Sequence, residues 1–163
     1  MKQFIRKLSI LVVVAIASMS TMSCLGQKFF TNVPSDEEIT KITIGKGMLR
    51  FANSLYENYA SENFGIKDAV KSFDRIELIT CESKSKIGAV RKACEEAVAR
   101  SGYEIASEIE EDNERIHIYM APGSDDSTIV DGIILLVDDR DSEEYIAIYL
   151  KGKIDVSKIR NGQ

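Results

Sequence analysis

The chain has 163 residues, 44% of them hydrophobic and 29% charged, a balance that suits one folded domain with a real core and argues against a disordered chain. Its formal net charge is −5. Residues 1–23 carry Lys2, Arg6 and Lys7 and no acid, so beyond them 18 basic residues face 26 acidic ones and the charge is −8. An acidic surface without a basic stripe repels phosphate backbones, and a nucleic-acid partner is not expected.

The N-terminus has the layout of a secretory signal. A basic start (Lys2, Arg6, Lys7) precedes an apolar run over residues 8–17 and a stretch of small and polar residues and methionine that ends at Cys24. The apolar run is too short to span a bilayer, which takes about 20 residues. Thr21-Met22-Ser23-Cys24 resembles the lipobox of bacterial lipoproteins. Ser23 fits the small residue before the cut, whereas Thr21 stands where an aliphatic residue is usual. Acylation of Cys24 is therefore expected, with the membrane as partner through the lipidated N-terminus, and ordinary cleavage after Gly26 is the alternative. Leu25 to Lys28 lacks the acidic residues that resemble a surface-export tag in Bacteroidetes-like lipoproteins, which implies a lipid-anchored, periplasm-facing protein of the cell envelope. A soluble periplasmic or secreted protein is the alternative.

Residues 24–38 read as a tether and residues 39–160 as a single domain. Pro34-Ser35-Asp36 is a turn signal, and Phe29-Phe30 is either docked or simply close to the signal. Ile39, Ile42 and Ile44 alternate with Lys41 and Thr43 as in a strand that Gly45 ends. Met48, Ala52, Leu55 and Tyr59 mark one face of a helix running to about residue 62. Residues 75–81 form a strand, residues 85–100 an amphipathic helix with Ser83 or Ser85 as N-cap, and Ser101-Gly102 its stop. Strands at 103–109 and 116–120 make one hairpin around the acidic turn 110–114; strands at 129–137 and 145–150 make another around 138–142. Asp155 can cap a last helical turn.

Six strands and two main helices, with helices early and hairpins late, predict an α+β domain: a mostly antiparallel sheet with both helices packed on one face. Residues 129–137 should be a central strand. The helix after residues 75–81 is expected to cover the Ile76, Leu78, Thr80 side of that strand. The opposite face would then expose Glu77, His117, Tyr119, Tyr145 and Tyr149, and this aromatic face is the candidate surface for an envelope protein partner.

Chemistry is sparse. His117, the only histidine, alternates with Ile116 and Ile118 and is read as a surface strand residue; a small periplasmic hydrolase or transferase using His117 with nearby acids is the rival reading. The acidic loops lack the spacing of a calcium loop, and Gly45-Lys46-Gly47 lacks the ending of a phosphate loop. Cys94 lies on the apolar stripe of its helix and, at about 1.5 Å rise per residue, sits too far along it to bond Cys81. Two cysteines and one histidine do not make a zinc site. No catalytic residue, cofactor or metal is expected.

Several short patterns together resemble one family. They are the signal and its cysteine, the isoleucine-rich strand before Gly45-Lys46-Gly47-Met48-Leu49, the strand Ile76-Glu77-Leu78-Ile79-Thr80-Cys81, the apolar run 133–137, and the closing Leu150-Lys151-Gly152-Lys153-Ile154-Asp155. The resemblance is to a Bacteroidetes group, the domain-of-unknown-function family 4252, over about residues 39–159. The resemblance implies an exported protein, often a lipoprotein, and brings no assigned activity or catalytic residues.

Overall fold

The computed structural model describes residues 28–50, 73–122, 128–141 and 143–156. Six strands form one sheet: β1 (Ile39–Gly45), β2 (Phe73–Cys81), β3 (Glu104–Glu111), β4 (Glu114–Met120), β5 (Ile129–Asp139) and β6 (Glu144–Asp155). The helix α1 (Lys84–Ser101) joins β2 to β3. Residues 46–50 open a second helix, with Leu49 buried; the rest of that predicted helix lies outside the described residues. The spatial order is β1-β2-β6-β5-β4-β3, and every neighbouring pair is antiparallel. This is the α+β architecture read from the sequence, with β5 and β6 at its centre and both hairpins where the acidic turns place them.

The ends of α1 follow from local chemistry. Ser83 is the N-cap residue, its carbonyl accepting from the amides of Lys86 and Ile87, although its hydroxyl makes no cap bond. Gly102 ends the helix with a φ of 74°, a left-handed conformation that costs glycine nothing. Hairpin tips are tied to one another as well: the Arg140 amide donates to the Asn113 carbonyl at 3.0 Å, and Asn113 Nδ2 donates to Asp141 at 2.8 Å.

Register decides which residues share a face, because directly paired residues project to the same side. Ile79, Cys81, Tyr145, Ala147, Tyr149, Ile134 and Leu136 project together against Ile87, Val90, Cys94 and Ala97 of α1, forming the main core. The helix therefore covers the Glu77, Ile79, Cys81 side of β2, not the Ile76, Leu78, Thr80 side expected from the sequence. Both sides alternate apolar residues, and on the covered side tyrosine rings act as large core fillers. Packing is close at one glycine: a Cβ on Gly132 would lie 2.3 Å from Tyr103 Oη and 2.9 Å from the Leu150 carbonyl oxygen. The opposite face carries rows such as Ile42–Leu78–Ile148–Leu135–Ile118 and Ile44–Ile76–Leu150–Ile133–Met120, most of them half-buried.

Cys81 and Cys94 are both free and buried, as the rise along the helix requires. Burial pushes the Cys94 thiol up to about 12. Being a neutral acid whose folded value is raised, it stabilises the fold fully below its ordinary value near 9.0, and that contribution is lost as pH climbs towards about 12. Buried Tyr145 and half-buried Tyr103 are raised in the same way from 10.0. Chemical denaturation across pH should show stability declining from about pH 9 in the wild type. In Cys94→Ala the decline should start nearer pH 10, where the raised tyrosines and then Lys84 and Lys86 take over; an unchanged onset would show that the thiol does not contribute.

Candidate functional site

The first chain segment is part of the core, not a free tether. Phe30 and Val33 are buried within the main cluster, and Phe29 stacks on Tyr149 with ring centroids 4.3 Å apart and meets Tyr103 edge-on at 6.0 Å. What fixes this segment is Glu77, 2% exposed, whose carboxylate accepts from the Phe29 amide at 2.9 and 3.0 Å and from the Phe30 amide at 3.2 Å. Arg75 Nη1 stands 3.6 Å from the same carboxylate. Further along, Lys41 Nζ donates to the Val33 carbonyl and to Ser35 Oγ. The Asp36 carboxylate accepts from the Glu38 amide and pairs with Lys86 of α1, which also bridges to Glu38 at 2.7 Å. Lys86 holds the carboxyls of Asp36 and Glu38 below their ordinary values. Residues 29–38 thus form a strap that lies beside α1, and the two together close the covered face.

That arrangement corrects the candidate interaction face. Tyr145 is 2% exposed and Tyr149 is 7% exposed, both under α1 and the strap, so neither offers a binding surface. Tyr145 Oη is buried beneath α1, and the guanidinium of Arg91 lies over its ring at 6.0 Å while bonding Asp138 at 2.7 Å. His117 and Tyr119 belong to the same sheet face but sit farther out, on β4, where they remain half-buried. Their rings meet edge-on at 6.1 Å. Beyond them β3 is mostly exposed, with Ile105 paired to Tyr119 and Glu108 paired to His117.

A carboxylate does lie within reach of the histidine. His117 Nε2 and Glu108 Oε1 are 3.0 Å apart, with side chains 21% and 55% exposed. The pair is a cross-strand contact on an open hairpin, so water competes with it, and no nucleophilic side chain joins it at the register positions beside it. Among the described residues no group of three histidine, cysteine, aspartate or glutamate residues is close enough to hold a metal ion. Among them, too, no helix is long and apolar enough to cross a membrane. Cys24 and the proposed signal lie outside the described residues, as do most of the predicted first helix and the closing turn beyond Val156.

The model of a family described as a domain of unknown function, DUF4252, matches residues 30–161. The chain belongs to that family. Its match begins at Phe30, within the strap, and so includes the segment that the sequence presented as a tether. No curated protein and no solved structure matches the chain.

The Glu77 bonds are charge-assisted and buried, and removing one partner of such a set costs several kcal/mol, about 3–5 when a charge is left unpaired. Glu77→Ala removes the charge and leaves two buried amides unsatisfied, so a loss of about 2–4 kcal/mol is expected. Hydrogen exchange should speed up selectively at residues 29–33 while the centre of β5 and β6 stays protected. Uniform acceleration across the sheet would show that the strap is not a separable unit.

Proposed function

We propose that this member of the DUF4252 family is an exported domain, anchored in the cell envelope through lipid on Cys24, that works by binding an envelope partner. The observation that carries the reading is the position of Phe29, fixed in the core only five residues after Cys24. A cut before Cys24 would remove the basic and apolar leader and leave every described core residue in place. Acylation would then hold a complete domain at the membrane, since each buried methylene contributes about 0.8 kcal/mol.

The surface best suited to the partner is the β3–β4 hairpin, where it extends beyond α1. It combines the half-buried His117 and Tyr119 with Ile105, which is 54% exposed and pairs with Tyr119 on the same side of the sheet. Glu104, Glu108, Glu110 and Glu111 lie on the same strand. Exposed apolar side chains ringed by carboxylates suit a protein surface that is partly apolar and basic. The His117–Glu108 contact at 3.0 Å favours one second reading, a small hydrolase or transferase in which Glu108 orients His117 as a general base.

Intact mass and membrane fractionation of the native protein, beside Cys24→Ala, test the anchor. The expected result is a mature N-terminus at Cys24 carrying acyl mass, lost together with membrane association in the variant. Cleavage elsewhere without acyl mass overturns it. For the hairpin, Ile105→Lys with Tyr119→Ala should abolish photo-crosslinking from position 108, on the same face, to its envelope partner, whereas His117→Gln should leave most of it. Loss of a measured turnover in His117→Gln, with crosslinking from neither protein, would support the enzyme instead.

A further inference from the structure

The strap and the distribution of charge together fix how the domain faces a membrane. Phe29 is held over the Thr43–Glu77–Tyr149 row of the sheet, two rows from the end marked by Gly45, Arg75 and Lys151. Between Cys24 and Phe29 stand only Leu25, Gly26, Gln27 and Lys28. Five residue steps reach at most roughly 17 Å when fully extended. A lipid on Cys24 therefore leaves the domain no room to tumble freely, and its Gly45 end stays close to the headgroups.

Charge is distributed to suit that placement. At the Gly45 end, Lys46, Arg50 and Lys151 surround Asp74, and Lys153 pairs with Asp131. Among the described residues at that end, Lys46, Arg50, Arg75, Lys151 and Lys153 stand against Asp74, Glu104, Asp131 and Asp155, a small basic excess. At the other end of the sheet, residues 110–114 and 138–144 form the two hairpin tips and carry nine acidic side chains against the single Arg140. The tips are bound to each other through Asn113, Arg140 and Asp141, so this acidic end is one rigid surface. An anionic headgroup layer repels that end and attracts lysine and arginine at the other, by about 1 kcal/mol per basic residue near the surface.

We infer that the domain stands on an anionic phospholipid surface with its Lys46, Lys151, Lys153 end against the headgroups and its acidic hairpin tips directed away. This rests on the lipid-anchored reading above. The tips are then the part of the domain offered to whatever lies beyond the membrane.

The test uses the chain from Cys24 to Gln163 coupled through the Cys24 thiol to a maleimide lipid, so that it holds whether or not the cell acylates Cys24. Buried Cys81 and Cys94 are protected from the coupling. Vesicles contain phosphatidylcholine with about one third phosphatidylglycerol and a headgroup energy acceptor, and a fluorophore is carried on an unnatural side chain at position 153 or 141. These sites are roughly 35 Å apart along the β5–β6 hairpin. Transfer should be several-fold stronger from 153 than from 141. Twenty glycine and serine residues inserted after Leu25 should reduce the ratio towards one, as should Lys46→Glu with Lys151→Glu. Equal transfer from both sites in the unmodified sequence, or stronger transfer from 141, overturns the proposal. Absence of acyl mass on the native protein would instead sink the anchor and leave this measurement standing.

Discussion

A single buried carboxylate decides how this sheet is closed. Glu77 lies in the second strand of the sheet, nearly inaccessible to solvent, and its oxygens take the amides of Phe29 and Phe30. A carboxylate without partners in that position would carry a desolvation penalty of several kcal/mol. Two amides and the nearby Arg75 guanidinium offset that penalty, but only while the strap is in place. The strap in turn brings Phe29 onto Tyr149 and seals the edge of the core that α1 leaves open. Removing the charge, the strap or the tyrosine ring therefore disturbs the same corner of the fold.

Much of the architecture could be read from the sequence because its signals were local. Alternating isoleucines gave the strands, the spacing of Ile87, Val90, Cys94 and Ala97 gave the helix, and Gly102 gave its end. Acidic turns between apolar runs gave both hairpins. The covered face could not be read in the same way. Ile76 and Leu78 on one side of β2 and Ile79 and Cys81 on the other are equally good core residues, and period-two alternation has no preference between them. Tyrosines beside charged residues resembled a surface, whereas in the fold they fill volume under a helix of small residues, Ala93, Cys94 and Ala97.

The strap was hidden for a different reason. Glu77 makes its bonds to backbone amides 47 and 48 residues away, and an amide leaves no trace in the identity of its residue. Phe29-Phe30 is the one visible hint, and next to a stretch with the layout of a secretory signal an aromatic pair has an innocent explanation. The candidate site was only half legible for the same cause. His117 and Tyr119 were placed on one face correctly, but the helix that hides Tyr145 and Tyr149 ends its coverage before β4, and helix placement depends on which face the strap needs.

Under the lipid-anchored reading proposed above, the strap couples folding to location. A domain that began at residue 39 would hang from Cys24 on some fifteen residues and sample every orientation. Docking residues 29–38 beside α1 leaves only four residues between Cys24 and Phe29, and under the proposed anchoring the same bonds that hold Glu77 would set the distance to the membrane. Lys86 contributes at the far end of the strap, pairing with Asp36 and Glu38 from the first turn of α1. The strap is thus held at one end by a buried acid and at the other by a surface base. Because the surface pair is open to solvent and salt, it contributes less than the buried one, and undocking should start at Asp36 and stop at Phe30.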